Sequence, residues 1–201
     1  MFQSLPHLTG AERMERANPA ALGLVGFGLT TILLSAVNAG LLPAHGEQVV
    51  LPLAMAFGGT AQIIAGIMEF GTGNTFGATA FVSYGAFWWW FGLLVFFAGN
   101  KLLDLSGADP AVGLALVLWG VFTFGLWIST FRLTRLLFLI FLTLWIAFFL
   151  LGFGAMMGSA QLHQWGGYVG LVCGALAMYG SFAIVTNTTM GREIIPVGTR
   201  S

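Results

Sequence analysis

Leu136–Ala155 reads LLFLIFLTLWIAFFLLGFGA, an uncharged run whose one hydroxyl side chain is Thr143. A run of about 20 residues at about 1.5 Å rise spans a hydrocarbon core of about 30 Å. Apolar residues cover every face of it, so it reads as a helix and not as the alternating strand of a membrane β-barrel. Five further windows read the same way: Ala20–Leu42, Val50–Phe70, Phe76–Ala98, Ala111–Thr130 and Trp165–Thr186. The composition agrees. Of 201 residues 58% are hydrophobic and 7% charged, and the mean hydropathy is +0.91, whereas a soluble domain carries about 25% charged residues. A soluble enzyme, a secreted disulfide scaffold and a disordered chain are excluded. Zero net charge without a basic patch excludes nucleic-acid binding. The fold class is therefore all-α: a polytopic membrane protein of six transmembrane helices.

The spans predict a transmembrane domain over residues 18–188, with tails at 1–17 and 189–201. With six spans both ends share one side. That side carries Arg13, Arg16, Arg132, Arg135, Arg192 and Arg200, the other only Lys101. The positive-inside rule then places both termini in the cytoplasm. The first residues are polar and mixed in charge, so they read as a tail and not as a signal peptide.

Asn18-Pro19, Asn74-Thr75 and Asp109-Pro110 read as helix starts, and Pro52 falls in the first turn of the second window, where its missing N–H costs little. The chain has 29 glycines. Gly166, Gly170 and Gly174 recur every fourth residue on one helix face, the pattern by which helices approach closely in lipid. Packing within the protomer and packing between subunits both fit that spacing. Trp88, Trp89 and Trp90 read as an aromatic belt at the non-cytoplasmic interface.

Ionisable chemistry is sparse. Cys173 is the only cysteine, and His7, His45 and His163 stand apart, so neither a metal site nor a cofactor site is expected; His163 reads as an interfacial residue. No serine in a span has a base partner, so an enzyme is not expected. Glu69 is the one carboxylate within a span. It either acts on charge or protons along a path or makes a helix-end hydrogen bond. Neutral polar residues are plentiful instead, among them Thr30, Thr31, Ser35, Asn38, Gln62, Ser83 and Thr123. Singly each reads as a helix–helix hydrogen bond; together they can line a path that holds a carboxylate weakly enough to release it.

Asn18-Pro19-Ala20-Ala21-Leu22-Gly23-Leu24 resembles the Asn-Pro-Ala-Pro-Leu-Gly-Leu signature of the acetate uptake transporter family, which includes the bacterial succinate–acetate permeases. Gly58-Gly59-Thr60-Ala61-Gln62, Gly73-Asn74-Thr75-Phe76-Gly77, Ser83-Tyr84-Gly85 and Trp119-Gly120-Val121-Phe122-Thr123 follow in family order, and the resemblance covers residues 17–198. Ala21 departs from the signature, which has proline there. The resemblance implies a homo-oligomer, most characteristically a hexamer, in a bacterial plasma membrane. Each protomer would pass acetate and related carboxylates, succinate included, as an anion channel or a proton-linked permease. It also implies a hydrophobic constriction at Phe27, Tyr84 and Leu144. These residues lie nine or ten positions past Asn18, Asn74 and Thr134, about 15 Å in, half of the hydrocarbon core. Gln62, Thr30, Thr31, Ser83, Asn74 and Thr75 are the expected substrate contacts. The rival reading is a membrane scaffold or sensor that binds carboxylate without conducting it.

Overall fold

A computed structural model describes residues 17–199. His7, Arg13, Arg16, Arg200 and nearly all of the expected N-terminal tail lie outside the described residues. Seven α-helices follow one another: α1 Ala20–Asn38, α2 Glu47–Leu53, α3 Gln62–Thr72, α4 Thr75–Gly99, α5 Asp109–Ser129, α6 Arg135–Met157 and α7 Ala160–Met190. A 3₁₀ turn at Ala44–Gly46, then α2, a π-helical segment at Ala54–Ala61 and α3 run on as one membrane-length span, so among the described residues the helices long and apolar enough to cross a membrane number six. No strand occurs among the described residues. The chain is a multi-pass membrane protein.

Helix boundaries depart from the sequence windows where caps decide them. The first helix ends at Asn38, before Leu42. The second span starts at Ala44, so Pro52 sits inside α2 and not in its first turn. Without an N–H, Pro52 cannot complete the α-helical ladder, and the wide turns of the π segment begin just after it. Thr60 Oγ1 there donates to the Met55 carbonyl at 2.9 Å, five residues back. Asp109 does not cap α5: Ala108 occupies the N-cap position without a side-chain bond, and Asp109 lies in the first turn, where it complements the helix dipole. α7 is longer than its window at both ends, 31 residues.

The tightest packing joins α1 to α7, with α5 on α6, α6 on α7 and α3 on α4 next. The glycine stripe of α7 makes the first of these joints. A methyl group on Gly174 would lie 2.7 Å from Ile32 Cγ1 and 2.9 Å from the Gly28 carbonyl oxygen, and Gly170 backs onto Ser35. Gly166 meets Leu151 of α6. This face packs within the protomer, the first of the two readings that its spacing allows. Trp88 is corrected. It is buried at 2% exposure against Gly58 of the π segment, while Trp89 is exposed and Trp90 packs on Phe87. Only Trp89 suits a belt.

The expected C-terminal tail folds back onto the bundle. Asn187 accepts from the Ile194 and Ile195 N–H groups and donates to the Ile195 carbonyl. Tyr179 donates to the Pro196 carbonyl. The Gly198 and Val197 carbonyls take the N–H groups of Arg135 and Leu136 at the start of α6, satisfying donors that a helix start leaves free.

Candidate functional site

Three helix starts surround one end of the bundle. Asn18 Oδ1 accepts from the Ala20 N–H at 3.0 Å, Asn74 Oδ1 from Gly77 at 3.0 Å, and Thr134 Oγ1 from Leu137 at 3.2 Å. All three side chains line the same cavity, of about 300 Å³, with Val197 beside them. Three positive dipole ends at one mouth favour an anion there. Since α1 begins at this mouth and Val197 and Gly198 pack there, we call the cavity proximal.

The rest of its wall is almost wholly apolar: Leu24, Phe76, Phe81, Ile140 and Phe141, together with Phe27, Tyr84 and Leu144. Those last three are all buried, and the Phe27 and Tyr84 rings lie 5.8 Å apart. Phe141, 6.1 Å from Tyr84, completes the aromatic wall. The Tyr84 ring is fixed by its hydroxyl, which donates to Thr123 Oγ1 at 2.9 Å; Thr123 in turn donates to the Trp119 carbonyl at 2.7 Å.

Phe27 and Leu144 also form the wall of a second, much smaller chamber of about 50 Å³ on their far side. Thr31 and Ser35 line it, and Thr31 Oγ1 is buried without a protein partner. Leu34, Asn38, Phe87, Phe148 and Leu151 then belong both to this chamber and to a large distal vestibule of about 880 Å³. Three cavities thus follow one another through the protomer. Phe27 and Leu144 divide the first pair. Phe87 and Phe148, with ring centroids 5.3 Å apart, stand with Leu34 at the second division.

Gln62 is the one polar side chain of the proximal cavity that is fully buried, and neither Oε1 nor Nε2 has a protein partner. Its place follows from the π segment: wide turns reset the helical register, a device found often at functional sites, and Gln62 opens the α-helix that resumes after them. Glu69, 2% exposed, makes the helix-end bonds. Its Oε2 accepts from Thr72 Oγ1 at 2.9 Å and from Asn74 Nδ2 at 3.1 Å, while Oε1 has no protein partner. It ties Asn74 in place and is not itself part of the cavity wall.

Three other sequence candidates stand off the cavities in line. Thr30 is buried, spends its one O–H on the Gly26 carbonyl at 2.8 Å and lines none of the three cavities. Ser83 lines a lateral groove with Trp90, Leu118 and Phe122. Thr75 is exposed at the start of α4 and lines none of the three cavities.

Sequence reading passed over Phe87 and Phe148 as lining residues and treated His163 as merely interfacial. Helical spacing carried the signal for the two rings: Phe27, Thr31, Leu34 and Asn38 share one face of α1, Phe87 follows Tyr84 by one turn, and Phe148 follows Leu144 by one turn.

Residues 3–198 match the model of the GPR1/FUN34/yaaH family. The chain is 42% identical over 182 residues to a succinate-acetate/proton symporter, SatP, of Escherichia coli (strain K12), covering 90% of this chain and 95% of that one. It is 38% identical over 200 residues to acetate permease A of Emericella nidulans, covering 92% of this chain and 67% of the other. A solved structure described as the bacterial acetate channel SatP superposes with a TM-score of 0.87 at 40% identity, covering 92% of this chain and all of that one.

Proposed function

The chain belongs to the GPR1/FUN34/yaaH family, and from that premise we propose that it carries acetate, and succinate as a related carboxylate, across a membrane through its three aligned cavities. The observation that carries this reading is the division of one polar-ended lumen by a short apolar neck. The proximal cavity and the chamber are lined by no Asp, Glu, Lys or Arg among the described residues. A permeant carboxylate meets no fixed countercharge to trap it there and no fixed carboxylate to repel it. Phe27, Tyr84 and Leu144 act as the constriction, narrow and apolar enough to gate by dewetting.

Gln62 and Asn74 on the proximal side and Thr31 on the distal side offset the lost hydration. Gln62 both donates and accepts, so it serves a carboxylate or a carboxylic acid equally. Glu69 acts through Asn74, holding it at the mouth.

The proximal side is cytoplasmic in this reading, supported by Arg132, Arg135 and Arg192 there against Lys101 on the other side, and the membrane is the bacterial plasma membrane. The protein is a transporter and not an enzyme, and it takes neither a metal nor a cofactor. It assembles as a homo-oligomer, most characteristically a hexamer. The large apolar residues exposed on α3 and α5, such as Ile67, Phe70, Leu118 and Val121, are then covered by other copies or by lipid.

Uptake of isotope-labelled acetate into proteoliposomes tests the reading. Flux well above that of protein-free liposomes supports it. Acetate binding without flux would make the protein a sensor or scaffold.

A further inference from the structure

On the transport reading just given, we propose that His163 is the residue that exchanges a proton with the permeant carboxylate, at the neck between the distal vestibule and the central chamber.

The argument starts from Asn38, which lines both spaces and so stands at their junction. Its Oδ1 lies 3.2 Å from His163 Nε2. An amide oxygen can only accept, so Nε2 carries the hydrogen of this bond and the nitrogen left to titrate is Nδ1. The same segment is fixed a second time, by Gln164 Nε2 donating to the Ala39 carbonyl at 3.2 Å. An exposed imidazole, tethered in one tautomer beside the narrowing, has both properties that proton exchange requires: contact with vestibule water and a defined position.

The titratable groups sharing that vestibule are His45 ahead of α2, Glu47 of α2 and Asp109 of α5; α1, α4 and α6 contribute none to it. Of these four groups only His163 is bonded to a residue that also lines the chamber. On the proximal side Glu69 stands behind the cavity wall, held through Oε2 to Thr72 and Asn74, and Glu69→Gln, which should keep the pH response, is the matching control. Tyr84, the one titratable side chain in that wall, spends its proton on Thr123.

In the proposed step the Nδ1–H bond of the imidazolium breaks as an O–H bond forms on the carboxylate. The neutral acid enters the apolar chamber, where burial disfavours the anion. Water in the vestibule returns a proton to Nδ1, and the acid loses its proton to water on the proximal side. One proton crosses with each carboxylate, and none is created or consumed.

The test measures labelled acetate uptake by the reconstituted protein against external pH at fixed internal pH, with protein-free liposomes subtracted and entrapped pH dye reporting proton entry. The wild type should show an inflection beyond the one set by acetic acid itself. His163→Gln keeps an N–H for Asn38 but cannot titrate. It should lose that inflection and at least about five-fold of the acid-side acceleration, a gain that the shift from neutral to charged imidazole permits over one pH unit. His45→Gln, Glu47→Gln and Asp109→Asn should keep it.

A second readout avoids variants altogether. Imidazole carbon resonances of the wild type, titrated with and without acetate, should show the His163 midpoint moved by acetate and that of His45 unmoved. Wild-type flux whose inflection survives His163→Gln, or a His163 midpoint indifferent to acetate, overturns this inference alone. No wild-type flux at all overturns the transport reading and this inference with it.

Discussion

Replacing Gln62 with leucine should stabilise the protein while impairing it. The side chain is 0% exposed, and neither end of its amide has a protein partner. Thr30 is paired with Gly26 and Thr123 with Trp119, and Thr31 and Glu69 each leave one buried oxygen free, but at Gln62 both ends of the side chain are unpartnered, a departure from the usual rule. A buried polar group left unsatisfied costs about 1–3 kcal/mol, and leucine is close to glutamine in volume. Relieving even 1 kcal/mol raises the melting temperature by about 2–4 °C in a chain of this length. On the functional side the variant loses a hydrogen bond to a charged acceptor, worth about 1.5–3 kcal/mol. At about 1.4 kcal/mol per factor of ten, labelled acetate flux at low concentration should fall roughly ten- to a hundred-fold. Thermal unfolding in detergent and flux in proteoliposomes, on the same preparation, read both numbers. A lower melting temperature with unchanged flux would refute the reasoning, because it would mean that Gln62 belongs to helix packing.

Gly174→Ala should destabilise by about 1–3 kcal/mol, the usual cost of overpacking, because its methyl group would press on the Gly28 carbonyl at 2.9 Å; the loss should show as earlier thermal unfolding of the protomer itself. Native mass spectrometry that finds folded Gly174→Ala protomers merely unable to assemble would return the stripe to a subunit interface. Tyr84→Phe removes the bond to Thr123 and should cost about 0.5–1.5 kcal/mol. It leaves the ring among Phe27, Phe122 and Phe141, so acetate-over-lactate selectivity should hold; a collapse of selectivity would show that the hydroxyl itself takes part.

The spans were legible because lipid demands long apolar runs and closed backbone hydrogen bonding. Leu136–Ala155 needed only its composition, and of the helix starts read locally the Asn74 cap is borne out while Asp109 lies inside the first turn of its helix. What lay hidden depended on partners far away in the chain. Nothing in Trp88-Trp89-Trp90 tells that Gly58 makes room for Trp88 on a neighbouring span. The four-residue spacing of Gly170 and Gly174 declares close packing, but only the position of α1 says against what. Pro52 reads in the sequence as a harmless first-turn proline, and the π segment that follows it rests on close approaches by Gly58 and Gly59 to α4. At the candidate site, Phe27, Tyr84 and Leu144 came through a family resemblance supported by equal depth from three helix starts. Thr30 and Ser83 looked no different from Thr31 in the sequence; only the rotation of each helix separates the hydroxyl facing the chamber from the two that do not.

The central claim is that Phe27, Tyr84 and Leu144 set the width of the transport path, and the lactate-to-acetate flux ratio of Leu144→Ala tests it most directly. Leu144 is the only aliphatic member, and it borders a cavity on both sides. Its trimming should therefore cost less than the about 2–5 kcal/mol of a packed core and leave the aromatic contacts in place. The account predicts folded protein in which lactate, slightly wider than acetate, gains relative to it in proteoliposome uptake. An unchanged ratio in well-folded Leu144→Ala would contradict the account, because the narrow point would then lie elsewhere.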